Sequence, residues 1–119
     1  DIIANELPPV DPFGDKSGKI LVVGWGSSFG AIREAVNRSR KANHTVGHVH
    51  LRHLNPFPPN FGETLLKYQN ILVPEMNSGQ LLLLLRGKFL IDAVGLNKVQ
   101  GKPLGVDEVY DKIIELIGE

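Results

Sequence analysis

The chain has no cysteine among its 119 residues. Disulfide bonds, cysteine-ligated iron–sulfur clusters and thiol catalysis are therefore excluded within it, and we expect a cytoplasmic protein. The chain also lacks an excess of charge of either sign, because 13 basic residues balance 13 acidic ones. A neutral chain does not create the positive field that attracts nucleic acid or an anionic membrane surface, so we expect neither as a partner.

Long hydrophobic runs are missing as well. The longest is the run of leucines at residues 81–85, whereas a helix that spans a membrane needs about 20 apolar residues. No signal-peptide pattern opens the chain, and its first residue is Asp1 rather than methionine, so we expect a processed chain or an excised segment. Apolar residues still make up 42% of the chain, which is enough for one hydrophobic core.

The distribution of proline and glycine divides the chain in two. Residues 1–18 contain Pro8, Pro9, Pro12, Gly14 and Gly18, and we interpret them as a linker or N-terminal arm, followed by one domain over residues 19–119. Apolar patterning in that domain predicts strands at 19–24, 45–51, 70–73 (ended by Pro74) and 94–99, and helices at 29–42, 61–68, 79–91 and 106–117. This alternation predicts a three-layer α/β/α sandwich with a mainly parallel sheet.

Two of the predicted helices carry noteworthy surfaces. In the helix at 29–42, one stripe is predicted to be buried and the basic residues are predicted to form a solvated face. The stripe consists of Phe29, Ile32, Ala35 and Val36, and the basic face consists of Arg33, Arg38, Arg40 and Lys41. The helix at 79–91 has leucine on nearly every side. Since a sheet covers only one stripe of a helix, we expect a second apolar neighbour there.

A glycine-rich turn and a group of histidines suggest two possible binding sites. Residues 24–30 (GWGSSFG) follow a strand and open a helix, which is the context of a phosphate cradle, although a tight turn explains the same glycines. His48, His50 and His53 form an H-x-H-x-x-H pattern, with the first two on one strand face. They could hold a metal ion, or they could be ordinary strand histidines. Nucleotide binding and metal binding therefore remain as alternative functions.

Polar side chains follow the third predicted strand. Glu75, Asn77 and Gln80 supply one carboxylate and two amides just beyond the end of that strand, where loops of parallel sheets build binding sites. Helix capping by Asn77 or Ser78 is the other interpretation. No pair or triad of residues in the sequence forms a convincing active site, so we expect no catalytic residue in this domain.

Three segments together carry a family resemblance. They are residues 21–35 (LVVGWGSSFGAIREA), 47–58 (GHVHLRHLNPFP) and 71–81 (ILVPEMNSGQL), and residues 95–103 (GLNKVQGKP) also fit. In this order and spacing they resemble the C-terminal domain of the α subunit of 2-oxoacid:ferredoxin oxidoreductases, particularly the 2-oxoglutarate type. Arg52 and Asn55, in the second segment, join Glu75, Asn77 and Gln80 as candidates for an interface or a binding contact.

The resemblance implies a role inside a larger enzyme. Such enzymes convert a 2-oxoacid and coenzyme A to acyl-CoA and CO₂, with thiamine diphosphate and Mg²⁺ as cofactors and iron–sulfur clusters that pass electrons to ferredoxin. The resembled domain has the fold of the transketolase C-terminal domain and holds none of these cofactors. It serves structure and subunit assembly, and its partners are the other domains of the α subunit and the β subunit. By this resemblance, the chain alone should be inactive.

Overall fold

The computed structural model of the chain describes residues 9–52, 57–75, 80–97 and 105–118, and it describes only the backbone of Ser27, Glu75, Gln80 and Asn97. The strands are β1 (Phe13–Gly14), β2 (Gly18–Trp25), β3 (Val46–Leu51), β4 (Tyr68–Glu75) and β5 (Val94–Asn97). The helices are α1 (Phe29–Lys41), α2 (Phe61–Leu65), α3 (Gln80–Phe89) and α4 (Val106–Ile117). A short 3₁₀ turn, Gly26–Ser28, joins β2 to α1.

Within the described residues, the strands form one sheet in the order β1-β3-β2-β4-β5. The four longer strands run parallel to their neighbours, and β1 pairs antiparallel with β3 at the sheet edge. The predicted, mainly parallel sheet is therefore confirmed. Strand β1 adds a feature that the sequence pattern did not reveal, because it lies within residues 1–18, where proline and glycine obscure a two-residue strand.

Side chains that alternate across the sheet build two hydrophobic cores. From β2, Ile20 and Val22 pack with α1 and α4, whereas Leu21 and Val23 pack with α2 and α3. All four are fully buried, which explains why β2 has a continuous apolar run instead of an alternating pattern. Burial contributes roughly 1.5–3 kcal/mol for each such side chain. Helices on both faces of the sheet confirm the three-layer α/β/α architecture.

The predicted bounds of α2, β4 and α3 need correction, and α3 (Gln80–Phe89) ends at Phe89 rather than at residue 91. Helix α2 ends at Leu65, and Tyr68 starts β4 instead of ending the helix, since it pairs with Gly18 and its ring is buried. Strand β4 continues through Pro74 to Glu75. The pairing of β4 with β2 ends at Leu72, so the proline lies where the strand has one paired neighbour and a missing N–H is tolerated. Strand β5 is described over Val94–Asn97, and residues 98–99 of its predicted extent lie outside the described residues.

Helix α3 divides its leucines between the core and the surface. Leu81 and Leu85 are fully buried, and Leu82 packs partly against the same core. Leu83 and Leu84 point away from it and are 66% and 43% exposed. The apolar surface expected on this helix is therefore present.

No helix in the described part of the chain has both the length and the apolar character that a bilayer crossing requires.

Candidate functional site

A cleft of about 610 Å³ opens where β2 and β3 end, on the side of the sheet that α1 covers. This volume lies in the range of small-molecule sites, and the carboxyl ends of parallel strands are where such sites form. Four segments build the cleft: residues before β1, the turn after β2, the first turns of α1, and the end of β3. Its principal lining residues are Val10, Phe13, Phe29, Arg33, His48, His50 and Arg52.

His48 lies in the wall of this cleft, on β3. It is only 1% exposed, and its ring centroid lies 5.4 Å from that of Phe29 and 5.5 Å from that of His50. Burial, the Arg33 guanidinium and His50 together lower the pKa of His48 to about 3. The imidazole is therefore neutral across the physiological pH range.

The hydrogen bond from Arg33 fixes the tautomer of His48. Arg33 Nε lies 3.2 Å from His48 Nδ1, and a guanidinium N–H can only donate, so Nδ1 is the acceptor. The neutral ring then carries its proton on Nε2, which is buried and has no partner among the described residues. A buried donor without an acceptor costs about 1–3 kcal/mol.

Arg33 is held in the cleft by two aromatic rings. Its guanidinium carbon lies 3.7 Å from the ring centroid of Phe13 and 4.6 Å from that of Phe29. Burial lowers the pKa of Arg33, and stacking on two ring faces offsets part of that penalty. The prediction that Arg33 belongs to a solvated basic face is therefore wrong. Phe29 was predicted to be buried, but it is 42% exposed, and its ring contacts His48 at a tilt and His50 edge-on.

His50 connects the cleft to the glycine turn. Its Nε2 lies 2.9 Å from the carbonyl oxygen of Gly26, and its Nδ1 is buried without a partner among the described residues. A Cβ at Gly24 would lie 2.9 Å from His50 Nδ1 and 2.5 Å from Ile32 Cδ1. Gly24 thus allows close packing, and Gly26 has a φ of 79°, which favours glycine. These structural roles account for two glycines of the candidate phosphate cradle.

Two of the three histidines of the metal hypothesis lie together in the structure. His48 and His50 project to one face of β3, as predicted, with their rings nearly perpendicular at 87°. His53 lies outside the described residues. Within the described ranges, no three histidine, cysteine, aspartate or glutamate side chains converge on a point that could hold a metal ion.

Of the five interface candidates, Arg52 is the one whose side chain the structure describes. It is exposed and lines the cleft. Glu75 and Gln80 are described by backbone only: Glu75 ends β4, and Gln80 begins α3. Asn55 and Asn77 lie outside the described residues. The sequence reasoning missed Phe13 and the role of Arg33. An arginine one helical turn after Phe29 is a signal that could have indicated the stacking.

Comparison with known proteins gives a consistent result. The family model described as pyruvate:ferredoxin oxidoreductase core domain II matches residues 18–101. The chain is 48% identical over 104 residues to the 2-oxoglutarate oxidoreductase subunit KorA of Mycobacterium tuberculosis, covering 87% of this chain and 16% of that protein. The chain therefore spans less than a fifth of the length of this relative.

Two solved structures are similar in fold. The 2-oxoglutarate:ferredoxin oxidoreductase from Magnetococcus marinus, solved with 2-oxoglutarate, coenzyme A and succinyl-CoA bound, aligns with a TM-score of 0.85 and 23% identity, over 93% of this chain and 20% of that one. A split-gene transketolase, in an inactive β₄ tetramer, aligns with a TM-score of 0.67 and 15% identity, over 91% of this chain and 42% of that one. At these identities the likeness establishes the fold, which is transketolase-like.

Proposed function

The chain belongs to the family of the pyruvate:ferredoxin oxidoreductase core domain II, and from this premise we propose that it is the assembly domain of a larger 2-oxoacid:ferredoxin oxidoreductase of the 2-oxoglutarate type. The 48% identity to a 2-oxoglutarate oxidoreductase subunit supports the type. In the parent enzyme, a 2-oxoacid and coenzyme A would yield acyl-CoA and CO₂, and the electrons would pass to ferredoxin. Other domains of the α subunit and the β subunit are the proposed partners.

The sequence offers no ligand for an iron–sulfur cluster, and the described cleft does not fit a magnesium ion. Iron–sulfur clusters are held by thiolates, and the chain has no cysteine. The magnesium ion that accompanies a diphosphate prefers oxygen ligands, whereas the cleft offers two imidazoles, two guanidinium groups and the carboxylate of Asp11, which is already paired with Lys16 at 2.7 Å. We therefore assign Mg²⁺ and the clusters to other parts of the parent enzyme, and thiamine diphosphate to the place where that Mg²⁺ holds its diphosphate.

The outward face of α3 is the observation that carries the assembly role. Leu83 and Leu84 lie side by side on it and are exposed in the chain by itself, although neither is needed to cover the sheet. Two adjacent leucines on a helix face are the kind of apolar surface that a neighbouring domain buries. In this proposal, the α3 face contacts another domain or subunit of the parent enzyme.

Replacing Leu84 by glutamate tests this role. In the chain alone, Leu84→Glu should leave the melting temperature nearly unchanged, because the side chain is 43% exposed. In the parent enzyme it should reduce co-purification of the subunits, because an unpaired charge in a buried apolar contact costs several kcal/mol.

Two further variants make the result interpretable. Leu66→Glu is the matched control, since Leu66 is 78% exposed in the turn between α2 and β4, and it should preserve assembly. Leu85→Glu replaces a fully buried leucine of the same helix and should unfold the chain itself. If subunits with Leu84→Glu co-purify as well as the Leu66→Glu control, the α3 face is not an interface.

A further inference from the structure

The Arg33 guanidinium is positioned as a binding group by contacts that, within the described residues, leave its terminal N–H groups without a hydrogen bond. Its Nε donates to His48 Nδ1, and its guanidinium carbon lies over the rings of Phe13 and Phe29. Neither Nη1 nor Nη2 has a hydrogen-bond partner among the described residues. Because Nε is occupied and the two rings hold the guanidinium in place, the terminal pair of N–H groups is the part of the side chain left to bind a ligand.

The charge of Arg33 is not neutralised by the described residues. The ion pairs of neighbouring elements involve Asp11 with Lys16, Asp15 with Arg40, and Asp107 with Arg38, and none includes Arg33. Asp11 lines the cleft, but it already pairs with Lys16. A second cation, Arg52, lies at the exposed rim. A cationic cleft of this kind attracts a negatively charged group.

The walls of the cleft indicate what accompanies that negative charge. Phe29 is 42% exposed beside the guanidinium, and Pro9, Val10 and Pro58 contribute further apolar surface. A planar carboxylate matches the paired N–H groups of arginine through two parallel hydrogen bonds. An apolar or aromatic body attached to it would lie against Phe29, Pro9 and Val10.

We propose that this cleft binds the carboxylate of an organic molecule with an apolar or aromatic body, and that Arg33 is the residue that binds it. His48 is a positioning residue, because it holds Arg33 Nε and its own Nε2 is covered in this structure. This site goes beyond the proposed assembly role, and its test on the chain does not depend on that role.

Benzoate is the first probe, and its binding to the unmodified chain is monitored by nuclear magnetic resonance. Titration with sodium benzoate to about 50 mM should give saturable shifts of the Arg33 side chain, of Phe29 and of His48, with affinity in the range expected for a fragment. Benzyl alcohol, which keeps the ring but lacks the carboxylate, should bind at least about tenfold more weakly. Inorganic phosphate should also bind more weakly than benzoate, because it lacks the apolar body.

Two variants on helix α1 identify the binding residue. Arg33→Gln should weaken benzoate binding by about tenfold or more, and a dispersed amide spectrum checks that the variant is folded. Arg38→Gln is the matched control, since Arg38 pairs with Asp107 on the other side of the helix, and it should bind benzoate like the unmodified chain. Absence of saturable benzoate shifts, equal affinity for benzyl alcohol or phosphate, or equal loss in both variants would overturn the proposal.

The same titration on the parent enzyme separates two sources of the carboxylate. If benzoate binds there with the same dependence on Arg33, the natural ligand is a small molecule. If benzoate binds the chain but no longer binds after assembly, a carboxylate of a neighbouring domain or subunit occupies the cleft. The titration of the parent enzyme rests on the proposed function, whereas the titration of the chain does not.

Discussion

At the residue scale, the fold places Arg33 and His48 together in the cleft and lowers the pKa values of both. The sequence was sufficient to place His48 and His50 on one face of a strand. It was not sufficient to place Arg33 in the cleft, because Phe13, one of the two rings that hold Arg33, comes from a two-residue strand in the proline-rich arm. Apolar periodicity cannot reveal a contact made across 20 residues by so short an element.

The buried His48 should make the stability of the chain depend on pH. Its pKa in the folded chain is about 3, compared with 6.5 as the ordinary value. Below pH 6.5 the unfolded chain binds a proton that the folded chain does not, so stability falls as the pH drops from 6.5 towards 3. The free energy of unfolding falls by at most about 1.4 kcal/mol per pH unit in that window. Above pH 6.5 the histidine is neutral in both the folded and the unfolded chain, so it causes no loss of stability there.

Urea unfolding of the chain and of His48→Gln at pH 7, 6, 5 and 4 measures this contribution. Glutamine keeps an acceptor for Arg33 Nε but does not titrate, so the stability of the variant should fall less steeply below pH 6.5 than that of the unmodified chain. The carboxylates are common to both proteins and cancel in the comparison. If the free energies of unfolding of the two proteins fell equally with pH, His48 would not contribute to the pH dependence of stability.

At the element scale, local patterning predicted the type of each long helix and strand, whereas tertiary contacts set their ends. Helix α4 has the predicted bounds because Gly105 and Gly118 flank an amphipathic run. The end of α2 was misplaced because Tyr68 pairs in the sheet and donates from its hydroxyl to the Asp15 carbonyl oxygen at 2.6 Å. The exposed leucines of α3 were anticipated, since five consecutive leucines cannot all face one core.

Two glycine substitutions should have opposite effects on stability. A Cβ on Gly47 would lie 2.6 Å from both the Asp15 carbonyl oxygen and the Tyr68 hydroxyl, whereas a Cβ on Gly87 would have nothing within 4 Å. Gly47→Ala should therefore lower the free energy of unfolding by about 1–3 kcal/mol through overpacking. Gly87→Ala, on helix α3, should raise it by about 0.5–1 kcal/mol because alanine favours the helix.

Urea unfolding of both glycine variants beside the unmodified chain is the measurement. A change in the transition midpoint without a change in slope reports stability alone. Equal stability for Gly47→Ala and the unmodified chain would show that the arm does not pack closely against β3 and β4.

At the scale of the whole molecule, the fold was predictable and the cleft was not. Alternating strands and helices were enough to indicate the three-layer sandwich. The cleft depends on four segments that are separate in the sequence, and only the folded chain brings Phe13, Phe29, Arg33 and His48 together. The family resemblance is confirmed by the matching family model, but it did not indicate this cleft.

Nucleotides should bind the chain weakly, because close packing at Gly24 and the positive φ of Gly26 already account for these glycines. Calorimetry with NAD, ATP and coenzyme A should give no dissociation constant tighter than about 0.1 mM. Micromolar binding of any of the three would instead support the nucleotide-binding function.

The central claim is that this chain contributes assembly to its parent enzyme rather than catalysis. The most direct test is a turnover assay of the purified chain with 2-oxoglutarate, coenzyme A, thiamine diphosphate, Mg²⁺ and an artificial electron acceptor, beside the parent enzyme under the same conditions. We expect the chain to stay at the background rate of acceptor reduction while the parent enzyme turns over. Acceptor reduction by the chain alone that depends on both 2-oxoglutarate and thiamine diphosphate would contradict the claim.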